Sequence, residues 1–331
     1  MSDPIIWMFA GQGSQYFQMG RSLYENHAVF RETMTRLDHS LEPLLEESLR
    51  SVIYGQDAKV SDPFNKLTDT HPALLMVQIS LVETLRAEGL PAPDLLVGVS
   101  LGEYIATSVA GAISPEQMLA ELLRQAWTIE SLADPGAMLM VLDDVESFER
   151  EAIFAGKAEM AGINFDGCFV VAGKTGDIEQ VMLDLKARGI AHQLLPVQFA
   201  FHSAHIDGMR THLCSPSRNI VQQKCNTPVI GASDGTGYPF EAKRRDWWNV
   251  MRGPIRLDQT LRAIHQHHPR ATYIDCGPAG NLRTACVHCL GPAVRERSFA
   301  IMTPHGTDLR NLESLKSYFD RESRLEQESN R

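Results

Sequence analysis

This 331-residue chain has no long apolar run, fewer basic than acidic residues (31 against 41) and only six cysteines. No apolar stretch reaches the roughly 18 residues that a membrane-spanning helix requires, so we expect no membrane association. Residues 1–9 carry no basic residue and only a short apolar run, which argues against a secretion signal. The formal net charge is −10 and no long basic block is present, so nucleic acid is not an expected partner. These absences predict a cytoplasmic protein.

The six cysteines are scattered along the chain, which favours a reduced protein without a disulfide framework. Cys286 and Cys289 have the CxxC spacing of a zinc site, but the sequence offers no second pair. We therefore predict two buried thiols and no metal. The sequence leaves the oligomeric state open, a monomer included.

The order of elements predicts an α/β fold with two unequal parts. A strand at residues 5–9 precedes a helical region from about residue 19 to residue 51, broken near Glu42-Pro43. The apolar residues of segment 71–89 recur at helical spacing and predict a core helix. Ser114-Pro115 carries a helix-starting cap.

The predicted order of strands and helices changes between residues 136 and 197, which indicates a second unit. Its order of strand, helix, strand, strand, helix and strand is the ferredoxin-like βαββαβ signature. We predict a discontinuous large domain (1–133 and 199–320), an inserted ferredoxin-like subdomain (134–198) and a charged, fraying tail (321–331).

Gly98-Val99-Ser100-Leu101-Gly102 carries the strongest chemical signal of the chain. A short apolar strand precedes it and a helical pattern follows it, as in the nucleophile elbow of an α/β-hydrolase-like domain with a parallel sheet. Such a turn lifts the serine hydroxyl out of the sheet and points the next backbone N–H, that of Leu101, toward a developing oxyanion. The Gly-x-Ser-x-Gly pattern alone is a weak signal, because chains rich in small residues contain it by chance. Its strand–turn–helix context makes it specific here.

A serine nucleophile needs a histidine base within hydrogen-bond reach, and twelve histidines compete for that role. His202 lies where the chain returns from the small subdomain to the large domain. By spacing alone, an ordinary hydrogen-bonded histidine is the commoner interpretation.

Four motifs together resemble one family. These are residues 11–15 (GQGSQ), 98–103 (GVSLGE), 200–203 (AFHS) and 275–278 (DCGP). In order and spacing they are similar to the malonyl-CoA:acyl-carrier-protein transacylase family over nearly the whole chain. Residues 8–20 and Asn164-Phe165-Asp166 most resemble the free-standing acyltransferase-like enzymes of trans-acyltransferase polyketide synthases.

The resemblance implies a role for each matching residue. Ser100 would accept the acyl group, His202 would be its base, and the backbone N–H groups of Gln12 and Leu101 would form the oxyanion hole. A backbone carbonyl near residues 249–251 would orient the histidine. No cofactor is implied, because the substrate itself carries phosphopantetheine, as acyl carrier protein or coenzyme A thioester.

The chain departs from the family pattern at three expected pocket positions. Val99 replaces the usual histidine, Val250 replaces asparagine or glutamine, and Gln125 falls where malonyl-specific members carry an arginine. A one-residue shift would restore Arg124 there. At about 100° per residue, however, Arg124 points away from the apolar stripe of its helix while Gln125 borders it, so we favour Gln125. Phe201 is a fourth expected pocket residue, although aromatic residues beside a domain junction more often serve only in packing.

A glutamine offers only neutral hydrogen bonds, so malonyl should lose its advantage over uncharged acyl groups. The resemblance is then to the acyl hydrolase branch, whose members remove stalled or unwanted acyl groups from carrier proteins. Two alternatives stay open: a malonyl-CoA transacylase that loads extender units, and a non-catalytic docking module. An acyl carrier protein is the expected partner. Residues 243–245 (KRR), with Arg252 and Arg256, form either its docking site or a solvated basic face.

Overall fold

A computed structural model describes residues 3–214, 222–233 and 246–329. The larger of its two sheets is parallel throughout, with the strand order β10-β9-β1-β2-β7. Its strands are β1 (Ile5–Phe9), β2 (Leu95–Gly98), β7 (Val229–Gly231), β9 (Thr272–Asp275) and β10 (Ser298–Ala300). They are short and mostly apolar because helices cover both faces of the sheet.

Helices of the large domain pack on the two faces of this sheet. They are α1 (Arg21–Asn26), α2 (Ala28–Leu41), α3 (Leu49–Ile53), α4 (Leu67–Ala87), α5 (Leu101–Val109), α6 (Pro115–Leu132), α9 (Arg210–Leu213), α10 (Trp247–Arg252), α11 (Leu257–His267), α12 (Asn281–Leu290) and α13 (Asp308–Ser329). Short 3₁₀ turns occupy Ala204–Met209 and Pro292–Arg297. One apolar core joins the sheet to α2, α4 and α6, and another joins it to α11 and α12.

The local signals for helix boundaries have clear counterparts in the structure. The Ser114 side chain accepts a hydrogen bond from the Gln117 backbone N–H at the start of α6. The predicted helical region 19–51 is interrupted between α2 and α3, as expected, and also at His27, where no break was predicted. The segment 321–331, expected to fray, is helical as far as Ser329, because α13 continues through it.

The smaller sheet has the predicted βαββαβ order. Its elements are β3 (Gly136–Val141), α7 (Ser147–Arg150), β4 (Glu159–Phe165), β5 (Cys168–Lys174), α8 (Thr175–Ala187) and β6 (His192–Leu194). A fifth strand, β8 (Ile255–Arg256), comes from the large domain and pairs in parallel with β4. The predicted α/β fold class is confirmed, and β8 is an addition that the sequence did not reveal.

Two further expectations concern cysteines and membranes. The six cysteines, all within the described ranges, form no disulfide. Cys286 is buried, but Cys289 is only partly buried, which corrects the expectation of two buried thiols. Across the three described ranges, no helix has both the length and the apolar character needed to cross a lipid bilayer.

Candidate active site

The turn between β2 and α5 is a tight nucleophile elbow. Ser100 sits at φ 54° and ψ −120°, a backbone conformation that non-glycine residues rarely adopt. A β-carbon at Gly98 would overlap the backbone of Glu103, and one at Gly102 would overlap the carbonyl of Phe9. Gly98 therefore lets β2 lie directly against the first turn of α5, and Gly102 lets that turn lie against the end of β1.

The hydroxyl of Ser100 faces the imidazole of His202. Ser100 Oγ lies 2.9 Å from His202 Nε2, and His202 Nδ1 lies 2.7 Å from the backbone carbonyl of Gly253. A carbonyl only accepts, so Nδ1 carries the proton and Nε2 is left as an acceptor for the serine hydroxyl. Burial lowers the pKa of His202 to about 4, which keeps the ring neutral near pH 7.

The carbonyl that orients His202 lies slightly outside the expected segment. It belongs to Gly253, two residues beyond the 249–251 region that the resemblance indicated. The Met251 carbonyl instead accepts from the backbone N–H of His202 at 2.9 Å. The orienting contact is therefore made by the main chain, as expected, and does not use the side chain of Val250.

The turn after β1 passes over the elbow. A β-carbon at Gly11 would lie 3.1 Å from Ser100 Cβ and 3.2 Å from the backbone nitrogen of Leu101. Among the described residues, neither the Gln12 nor the Leu101 backbone N–H donates to another group. Two unused backbone donors thus lie on the turns that meet at Ser100, an arrangement suited to stabilising an oxyanion.

A cavity of about 710 Å³ opens beside the Ser100–His202 pair. All eight residues singled out from the sequence line it: Gln12, Val99, Ser100, Leu101, Gln125, Phe201, His202 and Val250. The described part of its wall includes no lysine, arginine, aspartate or glutamate. The wall is therefore mostly apolar, with a few neutral polar groups.

The structure places Gln125 at this cavity and Arg124 outside it. Gln125 is 4% exposed, and its Nε2 donates to the Tyr104 hydroxyl at 3.1 Å. The Tyr104 ring in turn stacks on Trp247, with centroids 4.2 Å apart. Arg124 pairs with Glu121 on the same helix and does not contribute to the described cavity wall.

The polar cavity residues His71 and Tyr104 are among those that were missed from the sequence. His71 belongs to the apolar segment that we interpreted only as a core helix, and its imidazole in an otherwise apolar run was the available signal. Tyr104 follows the elbow by one helical turn and offered no distinct signal. Also in the cavity wall, Phe165 stacks on His288 with ring centroids 4.4 Å apart.

The predicted basic cluster is only partly described. Arg252 forms ion pairs with Asp207 at 2.6 Å and with Glu159 at 3.8 Å. Arg256 belongs to β8, and residues 243–245 lie outside the described ranges. Arg252 is therefore engaged within the molecule, and the docking interpretation stays a prediction.

The comparisons with known proteins agree with this geometry. Residues 6–321 match the acyl transferase domain family. The polyketide biosynthesis acyltransferase homolog PksD of Bacillus subtilis (strain 168) is 34% identical over 319 residues, covering 96% of this chain and 97% of that protein.

Two solved structures share the fold. A loading acyltransferase from the avermectin modular polyketide synthase is 23% identical with a TM-score of 0.81, over 96% of this chain and 99% of that one. A malonyl-transacylase, solved in complex with its type II polyketide synthase acyl-carrier protein, is 22% identical with a TM-score of 0.74, over 93% and 99% of the two chains. With its serine elbow and facing histidine, the chain belongs to the acyl transferase domain family.

Proposed function

We propose that this protein is a serine acyl hydrolase of polyketide biosynthesis, which releases uncharged acyl groups from acyl carrier proteins. One observation carries the proposal: the Ser100–His202 pair opens into a cavity where Gln125 occupies the expected carboxylate-binding position and the described wall holds no cation. The relative PksD, named for polyketide biosynthesis, supports the biological setting.

The first half of the reaction acylates the serine. Ser100 Oγ attacks the thioester carbonyl while His202 Nε2 takes the hydroxyl proton. The carbonyl oxygen becomes an oxyanion between the backbone N–H groups of Gln12 and Leu101, and loss of one such donor costs about 2.7–4 kcal/mol in other serine enzymes. The C–S bond then breaks, and His202 returns the proton to the departing phosphopantetheine thiolate. The products are an acyl-serine ester and a free carrier thiol.

The second half cleaves the ester with water. Neutral His202 takes a proton from water as the water oxygen attacks the ester carbonyl, and it returns that proton to Ser100 Oγ as the C–O bond breaks. The released product is the free acid. Ser100 is only partly buried, so water has a path to the ester.

The preference for uncharged acyl groups follows from the electrostatics of the wall. A carboxylate that leaves water without gaining a cationic partner carries a large desolvation cost. In closed sites, truncating one partner of a buried charge pair costs about 2–5 kcal/mol, chiefly by leaving the other charge unpaired. Gln125 offers a carboxylate only neutral hydrogen bonds, and neutral His71 adds no positive charge, so malonyl groups should be poor substrates.

The proposed partner is an acyl carrier protein, and the proposed location is the cytoplasm. The fold similarity to a malonyl-transacylase in complex with its acyl-carrier protein supports the first point. We propose that the enzyme needs neither metal nor organic cofactor, because base, nucleophile and oxyanion donors all come from the chain. The Ser100–His202 geometry also disfavours the non-catalytic docking alternative.

The deciding experiment loads a carrier protein separately with acetyl, malonyl and a longer uncharged acyl group. Each is incubated with the wild type or with Ser100→Ala, and intact-mass spectrometry follows the acyl group. Ser100-dependent release of the uncharged groups as free acids, with malonyl spared, supports the hydrolase. Rapid malonyl transfer from coenzyme A to the carrier, with little hydrolysis, would establish the transacylase instead. No reaction on any thioester would restore the docking alternative.

A further inference from the structure

His71 lies near the start of α4, between the turn after β1 and the segment that carries His202. It is 4% exposed, and its Nε2 lies 2.7 Å from Gln12 Oε1. The amide of Gln12 continues the chain of contacts, since its Nε2 donates to Thr70 Oγ1 at 2.9 Å. The His71 ring also lies beside Phe201, with ring centroids 6.3 Å apart.

The network assigns the proton of His71 to Nε2. Gln12 Oε1 is an acceptor, because its amide nitrogen is already directed at Thr70, so Nε2 must donate. His71 Nδ1 is buried and has no partner among the described residues, which disfavours placing the only proton there. Burial lowers the pKa of His71 to about 4, so the ring is neutral near pH 7.

We infer that His71 is a positioning residue that fixes Gln12 so that the Gln12 backbone N–H faces the oxyanion. The inference rests on the proposed acyl-serine chemistry. Both polar atoms of the Gln12 amide are bonded, Oε1 to His71 Nε2–H and Nε2 to the Thr70 hydroxyl. Gln12 therefore has little freedom to rotate. The turn around it is held by the Gly13 N–H, which donates to Gln15 Oε1 at 2.7 Å, and by Ser14 Oγ, which donates to the Gly11 carbonyl at 2.6 Å. The contacts with His71 and Thr70 add the restraint on the Gln12 side chain itself.

His71 acts through Gln12 and not as a second base. Its Nε2 is occupied by Gln12 Oε1, while the hydroxyl of Ser100 is already paired with His202. A residue that only aligns an oxyanion donor affects the transition state more than the ground state. Its loss should therefore lower kcat and leave KM nearly unchanged.

Two substitutions separate the hydrogen bond from the volume of the side chain. His71→Leu fills a similar space without a donor, whereas His71→Gln retains an N–H that can reach Gln12 Oε1. Losing an oxyanion donor outright costs about 10²- to 10³-fold in kcat, so loss of its alignment should cost about 10- to 100-fold. We expect that loss in His71→Leu, with KM within about twofold, and recovery of most of kcat in His71→Gln.

Two assays keep this inference separate from the hydrolase proposal. The first measures kcat and KM for the release of acetyl groups from carrier protein. The second measures the rate at which an alkyl fluorophosphonate modifies Ser100, by intact mass, because its phosphoryl oxygen also requires the oxyanion donors. If the wild type is modified at Ser100 but releases no acyl group, the hydrolase proposal fails, and the modification rates of the two variants still decide the role of His71.

Slow modification and low kcat in His71→Leu, with both restored in His71→Gln, support the inference. Full kcat in His71→Leu, or a His71→Gln variant as slow as His71→Leu, overturns it. Should His71→Leu not fold, Thr70→Val serves, since it keeps the side-chain shape and removes the other anchor of Gln12. A lowered modification rate in Thr70→Val supports the inference, and an unchanged rate overturns it.

Discussion

Replacing Gln125 with arginine should turn a cavity that disfavours a free acyl carboxylate into one that binds it. Gln125 is nearly fully buried, and its amide is held against the Tyr104 hydroxyl at the cavity wall. An arginine at this position is longer and would extend its guanidinium into the cavity of about 710 Å³. There it could form two parallel hydrogen bonds to the carboxylate of a malonyl group.

The size of the effect follows from the environment of the side chain. Leaving one member of a buried charge pair without its partner costs about 2–5 kcal/mol, and about 1.4 kcal/mol corresponds to a factor of ten. A free-energy difference of about 2–5 kcal/mol therefore corresponds to a change of about 30- to 4000-fold in the preference for malonyl over acetyl groups. The partial exposure of Ser100 shows that solvent reaches this part of the cavity, so screening favours the lower end. We expect the malonyl-to-acetyl ratio of kcat/KM to rise about 30-fold in Gln125→Arg.

The assay compares acetyl- and malonyl-loaded carrier protein as competing substrates. Gln125→Met is the matched control, because it has a similar length, carries no charge and cannot donate to Tyr104. Arg124→Gln tests the neighbouring position, which lies outside the cavity wall, and should leave the ratio unchanged. A folded Gln125→Arg variant that still releases acetyl groups but keeps the wild-type ratio would refute this reasoning.

Three further predictions concern the elbow and its histidine. Ser100→Gly and Ser100→Ala should both be inactive, but the glycine variant should have the higher free energy of unfolding, by about 0.5–2 kcal/mol. This difference is the backbone strain that glycine relieves, less the extra conformational entropy of glycine in the unfolded chain. Urea denaturation measures it, and equal stability of the two variants contradicts it. Because His202 must be neutral to act as a base, kcat/KM should stay level as the pH falls through 6.5 and decline only as it approaches about 4. A midpoint near 6.5 in the pH profile would argue against a desolvated base. Gly102→Ala should lower the free energy of unfolding by about 3 kcal/mol because its β-carbon meets the Phe9 carbonyl. Gly176→Ala, in open space on α8, should be neutral or stabilising.

Features encoded by local patterns were predictable from the sequence. The elbow needs glycine at positions 98 and 102 between a strand and a helix. The sequence shows both glycines directly, and the apolar patterns on either side indicate the strand and the helix. The small subdomain was predictable because each of its strands and helices has its own apolar period. The orientation of Gln125 followed from helical geometry, since its neighbours define which face of α6 is buried.

Features that depend on contacts between distant segments were not predictable. Strand β8 is only two residues long and exists because β4 offers it an edge. The resemblance indicated an orienting carbonyl near residues 249–251 but not its exact source, Gly253, because a main-chain contact leaves no trace in the choice of side chain. His71 was absorbed into the apolar period of α4, and its partner Gln12 lies 59 positions away.

Strand β8 limits how this protein can be recombined with its relatives. Gly162 on β4 packs so closely on β8 that an added β-carbon would lie 2.7 Å from the β-carbon of Ile255. The next residue, Arg256, donates its backbone N–H to Ala232 in the large domain at 2.7 Å. Strand β8 thus joins the inserted subdomain to the large domain, and it begins two residues after Gly253, whose carbonyl accepts from His202. A chimaera in which residues 134–198 come from a relative would change the β4–β8 contact as well as the acyl pocket. Such a chimaera keeps His202 aligned only if it retains the Gly162–Ile255 pairing.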